Sequence, residues 1–254
     1  MVVLEAAAID ANSRDHPGQP VLFNRKHVAG WAHLTERLHR YDVRVSVELV
    51  HYGSEASIPP RESPSAASKY TDDPGKVLSI DRIHEIQRQF AYSAKLAKQC
   101  GMDAITLHGC HGYLIAEFLS PAFNKRTDEY GGCLENRCRF LTETIALGLP
   151  DDHASELSGA GPRPAGAVFG GDPQGRQGSG LHGHRHPRSG RDREHSGKRS
   201  ADMIVLGRPQ LADPDYVRKV AEGHTEQIRH CMSCEFCLDT LDDDRRICCA
   251  ARSL

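Results

Sequence analysis

Hydrophobic residues along the first part of the chain recur at two different spacings. Residues 2–9 form a short apolar run, which predicts a first buried strand. In residues 43–53 apolar and polar residues alternate, and this period of two predicts a second strand with one apolar face. Residues 54–78 show no period and predict a long loop. The apolar run at residues 103–107 predicts a third strand.

Between these strands the apolar residues recur at helical spacing. Residues 26–41 predict one amphipathic helix, and residues 79–100 predict another, with Ser79 as its N-cap and Gly101 as its stop. A further helix is predicted from residue 134 onwards. The second helix carries its small and apolar side chains on one face: Ile80, Ile83, Ile86, Phe90, Ala94 and Ala97. Alternating strands and helices are typical of a parallel sheet in an α/β protein.

The pattern breaks between residues 151 and 200. Gly, Pro, Arg and His make up more than half of residues 159–200, and large apolar side chains are almost absent. Such a segment buries too little apolar surface to offset its ordering entropy. We therefore expect it to be disordered, or to be a GC-rich coding region translated out of frame. Gly178, Gly180 and Gly183 have GxGxxG spacing, but no strand pattern precedes them, which argues against a dinucleotide site.

The apolar pattern resumes at residue 201. Residues 201–206 predict a strand, Gly207 and Arg208 a turn, and the following residues a helix. The expected boundaries of that helix are Asp213 as N-cap, Pro214 as first residue and Gly223 as stop. The chain is accordingly divided into residues 1–150, 151–200, 201–230 and a cysteine-rich segment, 231–254.

Composition narrows the class of protein. The chain has 254 residues and a formal net charge of −2, which gives no reason to expect nucleic acid or an anionic membrane as a partner. No apolar run reaches the ~18 residues that a membrane span needs. The first apolar run contains Glu5 and follows no basic leader, so we do not expect a signal peptide. The 9 cysteines, three of them spaced CxxCxxC, favour a metal or cluster site in a reducing cytoplasm over secreted disulfides.

Candidate chemistry is concentrated just after the third predicted strand. His108, His111 and Tyr113 follow its end, and catalytic groups of α/β barrels lie at the carboxyl ends of the strands. Imidazoles can hydrogen-bond a substrate oxygen, and a phenol can deliver a proton. The HxxH spacing alone is also compatible with a metal site or with two structural histidines.

The segments HGCHGYLIAEFLSP, NKRTDEYGG and LENRCRFL extend this site into a longer pattern. They resemble the old yellow enzyme family of FMN-dependent ene reductases, and most closely its iron–sulfur branch of 2,4-dienoyl-CoA and enoate reductases. The resemblance implies a TIM (β/α)8 barrel that holds FMN and receives electrons from NAD(P)H. It implies that His108 and His111 bind the activating oxygen of an enone or enoyl-CoA substrate, and that Tyr113 is the proton donor.

The same resemblance assigns the cofactor contacts. Glu48 stands where the family usually has a glutamine that hydrogen-bonds the pyrimidine edge of the flavin, and an ionised carboxylate cannot donate such a bond. Ser54 stands where the family has an arginine. Gly207 and Arg208 match the residues that bind the FMN phosphate. The two departures predict altered flavin binding.

The carboxy-terminal cysteines predict a metal centre. Cys231, Cys234 and Cys237, with the more distant Cys249, suit a [4Fe–4S] cluster, and the resemblance favours this assignment. Four thiolates also suit zinc, which is the rival. Cys248 is not assigned as a ligand of this centre. Three further thiols, those of Cys110, Cys133 and Cys138, are expected to be buried and structural, and Cys110, between the two histidines, is also a candidate reactive thiol.

The resemblance also implies that parts of the barrel are missing. We expect only the family's strands two, three, four and eight, with its first strand absent ahead of Met1 and no FAD and NAD(P)H domain after Leu254. Electrons would then come from a separate reductase partner. The expected activity is reduction of a conjugated C=C bond, and the alternative is a non-catalytic fragment that cannot hold FMN.

Overall fold

The structure is a computed structural model. It describes residues 1–66, 73, 75–148, 206–234, 236–237, 240 and 247–252. The chain divides into two compact units, Met1–Val168 and Phe169–Leu254. The predicted segment 151–200 and most of the predicted strand 201–206 lie outside the described residues.

The first unit is built on a parallel sheet, as the alternating pattern predicts. Its strands are β1 (Val2–Ala8), β2 (Val45–Val50), the short β3 (Glu62–Ser63) and β4 (Lys76–Val77), and β5 (Ala104–Leu107). Strands β1, β2 and β5 form one sheet in the order β1-β2-β5, and all pair in parallel. The carboxyl ends of these three strands therefore lie along one edge.

Four α-helices accompany these strands among the described residues of the first unit. They are α1 (Val28–His39), α2 (Ile80–Gln99), α3 (Leu114–Leu119) and α4 (Leu134–Gly148). The predicted cap of α2 is confirmed, because Ser79 has extended backbone angles and its side chain accepts the N–H of Arg82. The predicted face of α2 is confirmed as well, since all its members belong to the core packed between helices and sheet.

Strand β2 differs from its prediction. An alternating pattern predicts one polar face, yet Ser46 is as fully buried as Val45 and Val47. The Ser46 hydroxyl lies 2.9 Å from that of Thr106 on β5, so the buried polar atoms satisfy each other. The reason is position: β2 is the central strand, and the inner strands of a parallel sheet are covered on both faces.

The loop predicted at residues 54–78 is not wholly irregular. Strands β3 and β4 pair in parallel within it, Glu62 opposite Lys76 and Ser63 opposite Val77. Residues 67–72 and 74 of this segment are outside the described residues.

In the second unit the predicted helix boundaries are wrong at one end. The described helices are α5 (Arg208–Ala212) and α6 (Tyr216–Glu222). Asp213 is the C-cap of α5, and the N-cap of α6 is Asp215. The Asp213 carboxylate accepts from Lys219 and the N–H of Arg229 through Oδ2 and from the N–H of Asp215 through Oδ1, so it bonds to the turn that precedes α6. Gly223 ends α6 in the left-handed conformation, as predicted.

No helix in the described part of the chain is long and apolar enough to cross a membrane.

Candidate active site

The carboxyl edge of the sheet brings together polar residues from separate parts of the chain. Strand β2 ends at Val50 and is followed by His51 and Tyr52, and strand β5 ends at Leu107 and is followed by His108. The N–H of His108 donates to the carbonyl of Leu49, and the N–H of Leu114 donates to that of His51. These bonds join the loop after β5 to the end of β2.

His108, His111 and Tyr113 form one cluster of rings. The Nε2 atom of His108 lies 3.2 Å from Nδ1 of His111. The ring centroid of Tyr113 lies 4.9 Å from that of His108 and 6.0 Å from that of His111. The structure therefore brings the three predicted catalytic residues together.

A tight turn in the loop after β5 produces this cluster. His111 has a φ of 60° and Gly112 a φ of 84°, both left-handed, and the N–H of Tyr113 donates to the carbonyl of Cys110. The turn reverses the chain so that Tyr113, the N-cap residue of α3, faces back over His108. Glycine at position 112 meets the turn without the steric penalty of a side chain.

Burial sets the protonation of the groups at the strand end. His108 is 6% exposed, and burial together with the charge of His111 lowers the pKa of His108 to about 4. His108 is therefore a neutral imidazole near pH 7. Burial, with a contribution from Glu48, raises the pKa of the Cys110 thiol to about 12, so this thiol is protonated in the absence of a ligand. Cys110 is half-buried, close to its expected burial.

Glu48 lies on β2 opposite Thr106 of β5. Burial raises the pKa of Glu48 to about 7, so a large fraction of this carboxyl is neutral at physiological pH. A neutral carboxylic acid has one O–H donor and a carbonyl acceptor, which are the two functions that a glutamine amide presents. The residue present therefore fits the pyrimidine edge of FMN in its protonated form.

Tyr52 is a site residue that the sequence reasoning missed. Its ring centroid lies 4.2 Å from that of Tyr113, and Gln19 donates a hydrogen bond of 2.9 Å to its hydroxyl. Burial raises the pKa of Tyr52 to about 12, so the phenol is neutral. Its position two residues past the end of a predicted strand could have identified it, because the catalytic groups of α/β barrels lie at the carboxyl ends of the strands.

Ser54 and Glu117 form a second contact that the sequence reasoning missed. The carboxylate oxygen Oε1 of Glu117 accepts from both the backbone N–H and the hydroxyl of Ser54. The other oxygen of Glu117 is buried and has no hydrogen-bond partner among the described residues. Burial raises the pKa of Glu117 to about 8. The position that resembles the family's arginine is thus occupied by a serine that contacts a buried carboxyl group.

Next to this edge lies an ion-pair group with a structural role. Arg82 of α2 donates two hydrogen bonds of 2.8 Å to the carboxylate of Glu62 and one of 3.3 Å to Asp10. His51 lies 3.7 Å from the same Glu62 carboxylate. Burial opposes ionisation of Glu62, but its bonds to His51 and Arg82 prevail and lower its pKa to about 2.

The predicted cluster ligands meet in the second unit. A small cavity there is lined by Arg208 and by all four predicted thiols, namely Cys231, Cys234, Cys237 and Cys249. Burial raises the pKa of Cys237, and the charge of Arg208 opposes that shift. Arg208 thus lies with the cysteines, and Gly207 precedes it as the N-cap of α5. Cys248 is not among the lining residues, whereas Cys133 of the first unit is exposed and not buried as expected.

The spacing of these thiols bears on the choice of metal. A tetrahedral zinc site with Zn–S bonds of about 2.3 Å holds its sulfur atoms about 3.8 Å apart. Among the described residues, only His108, Cys110 and His111 bring three such donor atoms within 4.8 Å of one another. The four cavity thiols are therefore spaced more widely than the sulfur atoms of a closed zinc site.

Comparison with known proteins places this geometry in a family. Residues 1–147 match the NADH:flavin oxidoreductase / NADH oxidase family. The NADPH dehydrogenase of Halalkalibacterium halodurans is 38% identical over 147 residues, which are 58% of this chain and 44% of that protein. The chain thus spans less than half the length of this curated relative.

Solved structures agree on the fold. A 2-naphthoyl-CoA reductase in complex with 2-naphthoyl-CoA has a TM-score of 0.75 at 22% identity, covering 99% of this chain and 49% of that one. The old yellow enzyme from Pichia sp. AKU4542 has a TM-score of 0.53 at 26% identity, covering 57% and 43%. The prediction of a flavin-oxidoreductase TIM barrel is confirmed, and the described strands β1, β2 and β5 are part of it. With its first 147 residues matched, this chain belongs to the NADH:flavin oxidoreductase / NADH oxidase family.

Proposed function

We propose that this chain carries part of the active site of a flavin-dependent reductase that saturates the C=C bond of an α,β-unsaturated carbonyl compound. The supporting observation is the ring cluster of His108, His111 and Tyr113 at the carboxyl end of β5. FMN and NAD(P)H are the cofactors typical of this family.

The histidines activate the substrate. Their facing nitrogen atoms lie 3.2 Å apart, so both imidazoles can reach one substrate oxygen. An N–H that donates to the carbonyl oxygen draws electron density from the conjugated β-carbon and stabilises the charge that develops on the oxygen. Tyr113 then donates its phenolic proton to the α-carbon. Bound FMN would supply the hydride for the β-carbon.

Glu48, Gly207 and Arg208 are the proposed FMN contacts. Glu48, when neutral, donates to the pyrimidine edge and accepts from it, as its raised pKa allows. Gly207 and Arg208 are proposed for the phosphate on the resemblance, and the donors are their own backbone N–H groups and the guanidinium, because Pro209 has no N–H and Gln210 and Leu211 donate to the carbonyl of Gly207.

The substrate class that we favour is an enoyl thioester. The support is the fold similarity over 99% of this chain to a reductase whose structure contains 2-naphthoyl-CoA. A simple enone remains the second substrate class, and the NADPH dehydrogenase relatives suggest NADPH as the donor, delivered through a separate reductase partner.

Flavin content and half-reactions test this proposal. We expect the purified protein to show flavin absorbance near ~450 nm, to be bleached by dithionite or by NADPH together with the reductase partner, and to be reoxidised by cyclohexenone or an enoyl-CoA. Tyr113→Phe should slow reoxidation by about 10²–10⁴-fold while leaving flavin reduction unchanged, because general acid catalysis contributes that much. Tyr92→Phe, an exposed tyrosine on α2, is the matched control.

The alternative is a non-catalytic fragment of the same family. The observation that favours it is the end of the family match at residue 147, in a chain of 254 residues. Protein that stays colourless after reconstitution with FMN would support this alternative and reject the reductase.

For the cysteine cavity we propose a [4Fe–4S] cluster held by Cys231, Cys234, Cys237 and Cys249, with zinc as the rival. The support is that all four thiols line one small cavity and that the CxxCxxC spacing with a distant fourth cysteine suits such a cluster. Such a centre places the protein in a reducing compartment, the cytoplasm.

The adjacent Cys249 and Cys248 provide a matched pair for testing the cluster. After anaerobic reconstitution, Cys249→Ala should lose iron and acid-labile sulfide, whereas Cys248→Ala should retain both, since Cys248 does not line the cavity. Bound zinc without sulfide would favour the rival. Equal iron in both variants would contradict the assignment of Cys249.

A further inference from the structure

The loop after β5 carries three closely spaced atoms that can act as metal ligands. The proposed reductase chemistry does not require them to bind a metal. The Sγ atom of Cys110 lies 3.9 Å from Nε2 of His108, and Nδ1 of His111 lies 3.2 Å from the same nitrogen. The three ligand atoms all lie within 4.8 Å of one another. Within the described residues this is the only such set.

These distances match those imposed by a tetrahedral ion. With Zn–N bonds of about 2.0–2.1 Å and a Zn–S bond of about 2.3 Å, a tetrahedron separates two nitrogens by about 3.4 Å and a nitrogen and a sulfur by about 3.6 Å. The observed 3.2 Å and 3.9 Å each differ from these values by a few tenths of an ångström. The Sγ atom also lies 3.6 Å from Nδ1 of His108, beside the ring, so rotation of the Cys110 side chain towards the Nε2 side would complete the site.

We propose that Nε2 of His108, Sγ of Cys110 and Nδ1 of His111 together bind one Zn²⁺ ion. Two imidazoles and one thiolate form a donor set that suits this ion, and three protein ligands leave a fourth position for water. On binding, the thiol S–H bond is replaced by an S–Zn bond and the proton passes to solvent, with no change of oxidation state. His111 is exposed and provides the path of entry.

The site has a consequence for the proposed reductase. The nitrogens that hold the ion are the ones proposed to bind the substrate oxygen, so Zn²⁺ and substrate exclude each other. Zinc binding itself does not depend on flavin, and it can be measured on flavin-free protein. Failure of the zinc site and failure of the reductase proposal are therefore separate outcomes.

Cobalt titration of the full chain tests the site. The carboxy-terminal thiols are removed by replacing Cys231, Cys234, Cys237, Cys248 and Cys249 with Ser, so that only the first unit contributes a thiolate ligand. We expect one Co²⁺ per chain, a thiolate-to-cobalt charge-transfer band, visible bands of tetrahedral intensity, and loss of all of them when Zn²⁺ is added. Circular dichroism of this parent chain reports whether it folds.

Single variants in that parent identify the ligands. Cys110→Ala should abolish the charge-transfer band and weaken Zn²⁺ binding at least about 100-fold, because even loss of an outer-shell partner costs 10–100-fold. Cys138→Ala, another half-buried thiol of the same unit, should change neither. His111→Ala, at an exposed position, should also weaken binding and tests the site even if Cys110→Ala fails to fold.

Results of two kinds would overturn the proposal. One is a charge-transfer band that persists in Cys110→Ala or a Zn²⁺ affinity that does not change in His111→Ala. The other is a folded parent chain that binds no ion while the native chain does, which would assign the ion to the carboxy-terminal cysteines.

Discussion

At the scale of single residues, two buried carboxyl groups distinguish this chain. Burial raises the pKa of Glu48 to about 7 and that of Glu117 to about 8. Glu48 stands where a flavin contact is expected, and Glu117 contacts Ser54, where the family pattern has an arginine. Each group titrates close to physiological pH, so each gives a measurable pH dependence.

Flavin affinity should depend on the ionisation of Glu48. Above pH 7 the ionised carboxylate can no longer donate a hydrogen bond, so we expect FMN binding by the native chain to weaken as the pH rises from 6 to 8.5. Glu48→Gln keeps a donor at every pH and should remove this dependence. FMN fluorescence quenching measures both, and Glu36→Gln, on exposed α1, is the control. An identical pH profile in Glu48→Gln would contradict the assignment.

The free energy of unfolding should depend on pH through Glu117, and the raised pKa of this residue fixes the direction of the change. Its folded pKa of about 8 exceeds its ordinary value of 4.5, so between these values the native state keeps a proton that the unfolded state has lost. The stabilisation is complete below pH 4.5 and is lost as the pH rises towards 8. Between pH 5 and 8.5 the free energy of unfolding of the native chain should fall by roughly 2–4 kcal/mol more than that of Glu117→Gln. Denaturant unfolding at both pH values measures this difference. A parallel decline in variant and native chain would reject a buried, neutral Glu117.

At the scale of elements, α2 connects the sheet to the rest of the first unit. Its apolar face packs in the core, where the ring of Phe90 meets that of Phe140 on α4 edge to face at 6.4 Å. The same helix carries Arg82, whose bonds to Glu62 and Asp10 link it to the carboxyl edge of the sheet. The helix that was predicted from the spacing of its apolar residues thus also supports the residues around the site.

Two aromatic residues of α2 test the packing of that helix. Phe90 is 1% exposed and Tyr92 is 42% exposed. Phe90→Ala should lower the free energy of unfolding by about 3–5 kcal/mol, because it removes a buried ring and leaves a cavity. Tyr92→Ala should change it by about 0.5 kcal/mol or less. Denaturant unfolding followed by circular dichroism measures both, and equal losses would contradict the assigned core face.

At the scale of the whole molecule, the family match and the composition change at nearly the same place. The match ends at residue 147, and the Gly-, Pro-, Arg- and His-rich composition starts at residue 159. The predicted strand and helix pattern resumes only at residue 201. We propose that residues 151–200 reflect a frame offset between two in-frame parts of the gene.

Sequencing of the transcript across codons 145–201 tests this. We expect a frame offset whose correction restores alternating apolar segments, because barrel strands and helices require them. An intact reading frame throughout would reject the offset. Residues 151–200 would then be a natural low-complexity segment of this protein.

Local periodicity was sufficient to predict the strands β1, β2 and β5 and the helix α2 with its Ser79 cap. Each of these depends on residues that are close in the chain, where spacing encodes the direction of side chains. The family resemblance supplied the roles of His108, His111 and Tyr113, and the structure adds their proximity.

Other features were decided by tertiary structure alone. Ser54 and Glu117 are 63 residues apart in the chain and Ser46 and Thr106 are 60 apart, so their contacts depend on the parallel register of the strands. Asp213 precedes the observed N-cap Asp215 by two residues, and its carboxylate joins the N–H of Asp215 to the distant Lys219 and Arg229. Periodicity reports which side chains are buried, whereas contacts between distant segments follow from packing, which no local spacing encodes.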